Sequence, residues 1–116
     1  MSRPELERVR ALCLALPDVE ERLSHGSPAF FTKQKQFVHY WDDHHGDGRH
    51  CIWCAAPIGM QEALTTAEPN RFFRPPYVGH RGWIGVNLDD DPDWSEIEHI
   101  LGYAHRTVSL ARAGRG

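Results

Sequence analysis

The sequence predicts an α+β fold in which helices near the two ends pack on one face of an antiparallel-rich sheet. Two observations predict it. Helical periodicity is confined to three segments, and the runs between them are short, rich in β-branched and aromatic residues, and separated by turns. Strands that follow one another through short turns pair antiparallel. With 116 residues, the chain is expected to form one domain, residues 1–116.

Three segments have the features of helices. Residues 4–16 begin with Pro4, which suits a first helical turn, and residues 57–67 begin with Pro57 in the same way. Asp91 is the predicted N-cap of the last helix. Apolar residues recur at helical spacing on the first helix (Leu6, Val9, Cys13, Leu16) and on the last (Trp94, Ile97, Leu101, Ala104, Val108, Ala111).

Six runs between these helices are predicted to be strands: Val19–Leu23, Ala29–Thr32, Gln36–Trp41, Arg49–Ala55, Phe72–Val78 and Gly82–Leu88. The last two are expected to form a hairpin that turns at Gly79–Arg81. A turn rich in glycine and aspartate, around Gly46–Gly48, is expected to join the third and fourth runs.

The composition limits where the protein is expected to work. No window approaches the roughly 20 apolar residues of a membrane span, and the opening MSRPELERVR lacks the apolar core of a signal peptide. Three cysteines, an odd number, fit a secreted disulfide framework poorly. We therefore expect a cytoplasmic protein with reduced thiols that does not contact membranes.

Residues 40–54, YWDDHHGDGRHCIWC, contain three of the eight histidines and two of the three cysteines. On a strand, Cys51 and Cys54 would point to opposite faces, whereas a zinc site needs both sulfurs on one ion. The stretch therefore predicts a solvated hairpin tip with one cysteine in the core. A metal site here would require His44, His45 and His50 to converge.

The motifs that would identify an enzyme do not occur in the sequence. It contains no P-loop, no G-x-G-x-x-G after a strand, and no G-x-S-x-G elbow. Ser24 and His25 stand together in SHGSP, which is typical of a turn between two strands. We expect no catalytic residues, no cofactor and no bound metal.

The charges are segregated along a chain whose net charge is −3. Two segments, 22–41 and 69–88, contain no acidic residue and three lysines or arginines each. We call them the first and second acid-free segments. In the second, RFFRPPYVGHRGWIGVNL, Arg71, Arg74, His80 and Arg81 alternate with aromatic residues. Such a segment could hold phosphates and stack bases, or it could be a hairpin with aromatics in the core and arginines on its rim.

Four pieces of the sequence together resemble the MmcQ/YjbR family of small bacterial proteins: LALPDVEE, HGSPAF, PYVGHRGWIGV and the helix that starts near Trp94. The similarity spans nearly the whole chain. It implies a compact α+β domain of frataxin-like topology, and a provisional DNA-binding role through a double-wing arrangement of hairpins. It implies no catalytic residues.

Combined with the charge pattern, the resemblance predicts weak, salt-sensitive DNA binding by a basic face. The expected contact residues are Lys33, Lys35, Arg71, Arg74, His80 and Arg81. About four phosphate contacts would give a log–log salt slope of roughly −3 to −4. The alternative is a small-molecule or protein-binding module in which Tyr77, His80, Arg81 and Trp83 line a pocket for an anionic group.

Overall fold

The computed structural model describes residues 3–113, including the side chains of residues 3–110. Its helices are α1 (Pro4–Leu14), α2 (Met60–Ala67) and α3 (Trp94–Ala113). Its strands are β1 (Val19–Ser24), β2 (Ser27–Thr32), β3 (Lys35–Asp42), β4 (His50–Cys54), β5 (Phe72–Phe73) and β6 (Ile84–Asn87). Two single 3₁₀ turns occupy His44–Gly46 and Gly79–Arg81. The predicted α+β class is confirmed.

The six strands form one sheet in the order β1-β2-β3-β4-β6-β5, and each neighbouring pair is antiparallel. Helices α1 and α3 contact each other and the sheet, α1 at β1 and α3 at β2 and β3. We call the side on which they pack the covered face, and the other side the opposite face. This arrangement agrees with the prediction of terminal helices on one face.

The main core lies between the covered face and the two terminal helices. Cross-strand pairs on this face include Val38 with Cys54 and Tyr40 with Ile52. Val9 and Cys13 of α1 and Leu101 of α3 are fully buried with them, as the helical spacing predicts. Each large apolar side chain buried there contributes about 1.5–3 kcal/mol. The side chain of Ala111 lies outside the part of the chain that the structure describes.

Two helix starts differ from the prediction. Helix α2 begins at Met60 instead of Pro57, after Gly59 adopts a left-handed conformation (φ 91°) that ends the preceding extended chain. Helix α3 begins at Trp94, and the carboxylate of Asp93 accepts a hydrogen bond from the Glu96 N–H (3.2 Å). The predicted N-cap, Asp91, is therefore wrong by two positions, because four aspartates precede this helix and the sequence alone does not show which one accepts such a bond.

The predicted strand Phe72–Val78 is also too long, since only Phe72 and Phe73 pair with β6. Pro75 and Pro76 follow at once, and proline has no N–H to donate to a neighbouring strand. The chain leaves the sheet there and returns through the 3₁₀ turn at Gly79–Arg81.

Within residues 3–113, none of the helices combines the length and apolar character that a bilayer span would need.

Candidate functional site

Lys35 and Arg81, one from each acid-free segment, line the same groove of about 500 Å³. Lys35 begins β3, whereas Arg81 ends the second 3₁₀ turn, so sheet pairing brings together residues far apart in sequence. No carboxylate lines the groove among the described residues. We call this the basic groove. It brings a side chain with an ammonium group and a side chain with a guanidinium group to one cavity, and both groups bind anions.

Two of the other predicted contact residues, Lys33 and His80, are exposed and lie within two sequence positions of a residue that lines the groove. Lys33 is exposed in the two-residue turn between β2 and β3, two positions before Lys35. His80 is exposed on the second 3₁₀ turn beside Arg81.

Arg71 and Arg74 are engaged in contacts within the protein. The Arg71 guanidinium donates hydrogen bonds to the carboxylates of Glu68 and Glu96, which offset its charge and raise its pKa. Of the six predicted contact residues, Arg71 therefore has the least positive charge available for a ligand. The stem of Arg74 packs against Gly79, where a Cβ would lie 2.6 Å from its Cγ.

The four residues of the alternative pocket do not meet at one place. Arg81 and Trp83 line the basic groove, whereas Tyr77 lines a separate cleft on the opposite face. His80 lines neither of these two clefts. The side chain of Gln36 is the point at which the groove and the cleft adjoin, because it lines both.

The larger cleft, of about 900 Å³, lies on the opposite face. Trp41 and Trp53 form its floor, with ring centroids 5.1 Å apart, and Tyr77 reaches it from the segment between β5 and β6. Asp42 and Asp43 line it, and no lysine or arginine does so among residues 3–110. We call this the aromatic cleft. Its volume lies within the range of sites that bind small molecules.

His39 supplies a neutral imidazole to the aromatic cleft. Its Nε2–H donates to the carbonyl oxygen of Ser24 (2.9 Å), and its ring lies 4.2 Å from that of Trp41. Burial lowers the pKa of His39 to about 4, since a charged ring would lose its hydration there. The ring is therefore uncharged at neutral pH, and Nδ1 carries the lone pair.

His44 is an exception to the predicted solvated hairpin tip. Its ring packs against those of Trp41 (4.3 Å) and Trp53 (4.9 Å), and burial lowers its pKa. His45, by contrast, is exposed. The aromatic side chains that cover His44 come from β3 and β4, so the contact depends on their pairing.

The convergence of His44, His45 and His50 that a metal site would require does not occur. The buried ring of His50 hydrogen-bonds the hydroxyl of Tyr40. His50 is also two positions from Ile52 on β4, which puts both on the covered face. Among the described residues, no group of three or more His, Cys, Asp or Glu side chains could hold a metal ion.

The cysteines of C-x-x-C point to opposite faces, as predicted, because Cys51 pairs with Trp41 and Cys54 with Val38. Both are fully buried, whereas the prediction placed only one of them in the core. Burial raises the pKa of each thiol to about 12, so neither has appreciable thiolate character at neutral pH.

The sequence interpretation missed the aromatic cleft. Its residues lie in four separate segments, the β1–β2 turn, β3 to the first 3₁₀ turn, β4, and the segment before the second 3₁₀ turn. The one available signal was the alternation of His39 and Trp41 with apolar residues on β3, which places both on one face.

The family model for YjbR matches residues 14–107. Among solved structures, protein DR2400 of Deinococcus radiodurans, a DUF419 domain, is similar in fold with a TM-score of 0.76. The two chains are 15% identical, and the match covers 90% of this chain and 78% of the other. No curated protein matches the sequence. Because the family model spans most of the chain, the protein belongs to the YjbR family.

Proposed function

We propose that the protein is a non-catalytic DNA-binding protein that holds the phosphate backbone at the basic groove. The observation that carries this proposal is the meeting of Lys35 and Arg81, from the two acid-free segments, in a groove without a carboxylate among the described residues. Lys33 stands two positions from Lys35 in sequence and adds a third positive charge nearby. A chain of net charge −3 would otherwise repel DNA, so binding requires such a local concentration of positive charge.

The stacking of arginines on aromatic rings supports a phosphate-binding role. The guanidinium of Arg81 lies 5.2 Å from the ring of Trp83, whereas that of Arg22, 4.0 Å from the ring centre of Phe31, is already paired with the carboxylate of Glu20 (3.4 Å). Phe31 and Trp83 both line the groove. A stacked guanidinium is held in place by the ring and still directs its N–H groups at phosphate oxygens.

The same contacts argue against base recognition. Trp83 is buried, and Arg22 covers one face of the half-buried Phe31, so the groove offers little ring surface on which a base could stack. We therefore expect contacts to the phosphate backbone with little sequence preference. Three cations at the groove predict a log–log salt slope of roughly −2 to −3, shallower than the sequence alone suggests because Arg71 is paired with two carboxylates.

Fluorescence anisotropy with labelled single-stranded and duplex DNA, at about 20 mM and about 150 mM salt, tests the proposal. The Lys35→Ala, Arg81→Ala double variant should lose most of the binding and about two units of the salt slope. The matched control is Arg8→Ala, Arg49→Ala, which changes the net charge equally outside the groove. No binding at the lower salt, or an equal loss in the control, would refute the groove as the site.

A further inference from the structure

The aromatic cleft contains an arrangement of rings that already surrounds a nitrogen heterocycle, the imidazole of His44. Its neighbours are Trp41 at 4.3 Å, Trp53 at 4.9 Å and Tyr77 at 6.0 Å, with interplanar angles of 69°, 69° and 77°. These are edge-to-face contacts, in which the electropositive edge of one ring meets the electron-rich face of another. The cleft is therefore lined by a cluster of aromatic rings, and aromatic faces attract cations.

The charges that line the aromatic cleft favour the same kind of occupant. Asp42 and Asp43 contribute carboxylates, and none of the described residues that line the cleft is a lysine or arginine. Arg3, which pairs with Asp42 at 3.3 Å, does not line the cleft. The Asp43 carboxylate accepts one N–H, from Gly48 (2.7 Å), which leaves lone pairs for a further partner. The cleft thus complements a positive charge, the opposite of the basic groove beside it.

The backbone around the aromatic cleft is strained at several points. His25, Asp43, His45 and Tyr77 all line it, and their φ angles are 52°, 63°, 51° and 65°. Residues other than glycine rarely adopt this left-handed region, which occurs here in the turns and bends that border the cleft. Tyr77 remains 72% exposed even though its ring faces the cleft, so most of that ring is free to contact a ligand.

We propose that the aromatic cleft binds a small organic cation, with a protonated or quaternary nitrogen against the exposed ring of Tyr77 and the half-buried ring of Trp41, above the buried Trp53, and with its charge balanced by Asp43. Rings of tryptophan and tyrosine attract such cations through their quadrupoles, most strongly where water is excluded. This site is separate from the basic groove, and it does not depend on DNA binding.

Three ring compounds of similar size and different charge test the proposal: N-methylpyridinium, which is cationic, pyridine, which is neutral at neutral pH, and benzoate, which is anionic. Each is titrated into the full chain while the indole N–H signals of the four tryptophans are followed by NMR. Trp83 and Trp94 lie outside the aromatic cleft and serve as internal controls. N-methylpyridinium should shift the signals of Trp41 and Trp53 selectively and bind at least about tenfold more tightly than pyridine.

Two variants identify the groups responsible. Tyr77→Leu removes an exposed ring, and Asp43→Asn removes the charge while keeping an oxygen for the Gly48 N–H. Each should weaken N-methylpyridinium binding about fivefold or more, whereas the control Tyr103→Leu, an exposed tyrosine on α3, should leave it unchanged. Tighter binding of pyridine or benzoate, selective shifts at Trp83, or unchanged affinity in both variants would overturn the proposal.

Discussion

The two faces of strands β3 and β4 differ in composition even though they are made from alternate residues of the same strands. On the covered face, Tyr40 and Ile52 are paired and buried beneath α1 and α3. On the opposite face, the paired residues His39 and Trp53 and the neighbouring Trp41 line a cleft that is open to solvent. The comparison shows how one β-ladder can stabilise the fold on one side and present a binding surface on the other. Substitutions on the two faces should therefore have different consequences.

The largest effect is expected on the covered face. Ile52→Ala should lower the free energy of unfolding by about 2–5 kcal/mol, because it leaves a cavity among fully buried neighbours. Urea denaturation followed by tryptophan fluorescence would measure it. A loss below about 1 kcal/mol would mean that this face repacks easily and is not the rigid side of the sheet.

His39 should make the opposite face sensitive to acid. Its pKa is about 4 in the folded protein and about 6.5 when unfolded, so the unfolded state takes up the proton first as the pH falls. The contribution of neutral His39 is complete above pH 6.5 and is lost between about 6.5 and 4, on the order of 3 kcal/mol. Urea denaturation at several pH values should show this loss in the wild type and a flatter profile in His39→Gln. Identical pH profiles in the wild type and His39→Gln would show that the acid sensitivity does not come from His39.

Gly85 tests how closely the opposite face is packed beyond the cleft. A Cβ there would lie 2.3 Å from the ring of Phe73, on which the guanidinium of Arg49 is stacked at 3.8 Å. Gly85→Ala should therefore destabilise the protein by about 1–3 kcal/mol in thermal or urea unfolding. Gly102→Ala is the control, because a Cβ there meets nothing within 4 Å and alanine favours the α3 helix by about 1 kcal/mol. If both variants behaved alike, the packing of Phe73 on Gly85 would be disproved.

The smallest effect on stability is expected at Tyr77, at the rim of the aromatic cleft. With 72% of its surface exposed, Tyr77→Leu should change the free energy of unfolding by no more than about 0.5 kcal/mol. The same variant should weaken cation binding, so function and stability separate at this residue. Chemical denaturation of the variant supplies the measurement, and a loss above about 1 kcal/mol would show that Tyr77 is structural.

Local signals were sufficient for much of the fold. Pro4 and the apolar spacing of Leu6, Val9 and Cys13 predicted α1, and the structure places that helix at Pro4–Leu14 with those three residues buried. The first four strands were also predicted with ends within two residues of those observed. Such elements follow from periodicity and turn residues, which are properties of neighbouring positions.

Element ends and side-chain environments were less predictable. Four aspartates precede Trp94, and the sequence does not distinguish which of them accepts the N–H of Glu96. Glu68, three positions away, offsets part of the charge of Arg71, but the second carboxylate comes from Glu96, which is 25 positions away. His44 looked like a turn residue because nothing adjacent in sequence indicates that two tryptophans would cover it.

The sequence by itself determined the α+β class, the opposite directions of Cys51 and Cys54, and the two acid-free segments, because each is a matter of spacing or composition along the chain. Only the tertiary structure decided that Lys35 and Arg81 share one groove and that Trp41, Trp53 and Tyr77 share one cleft. The physical reason is that strand pairing in the order β3-β4-β6 joins residues 35–42 to residues 84–87, a proximity that no local pattern encodes.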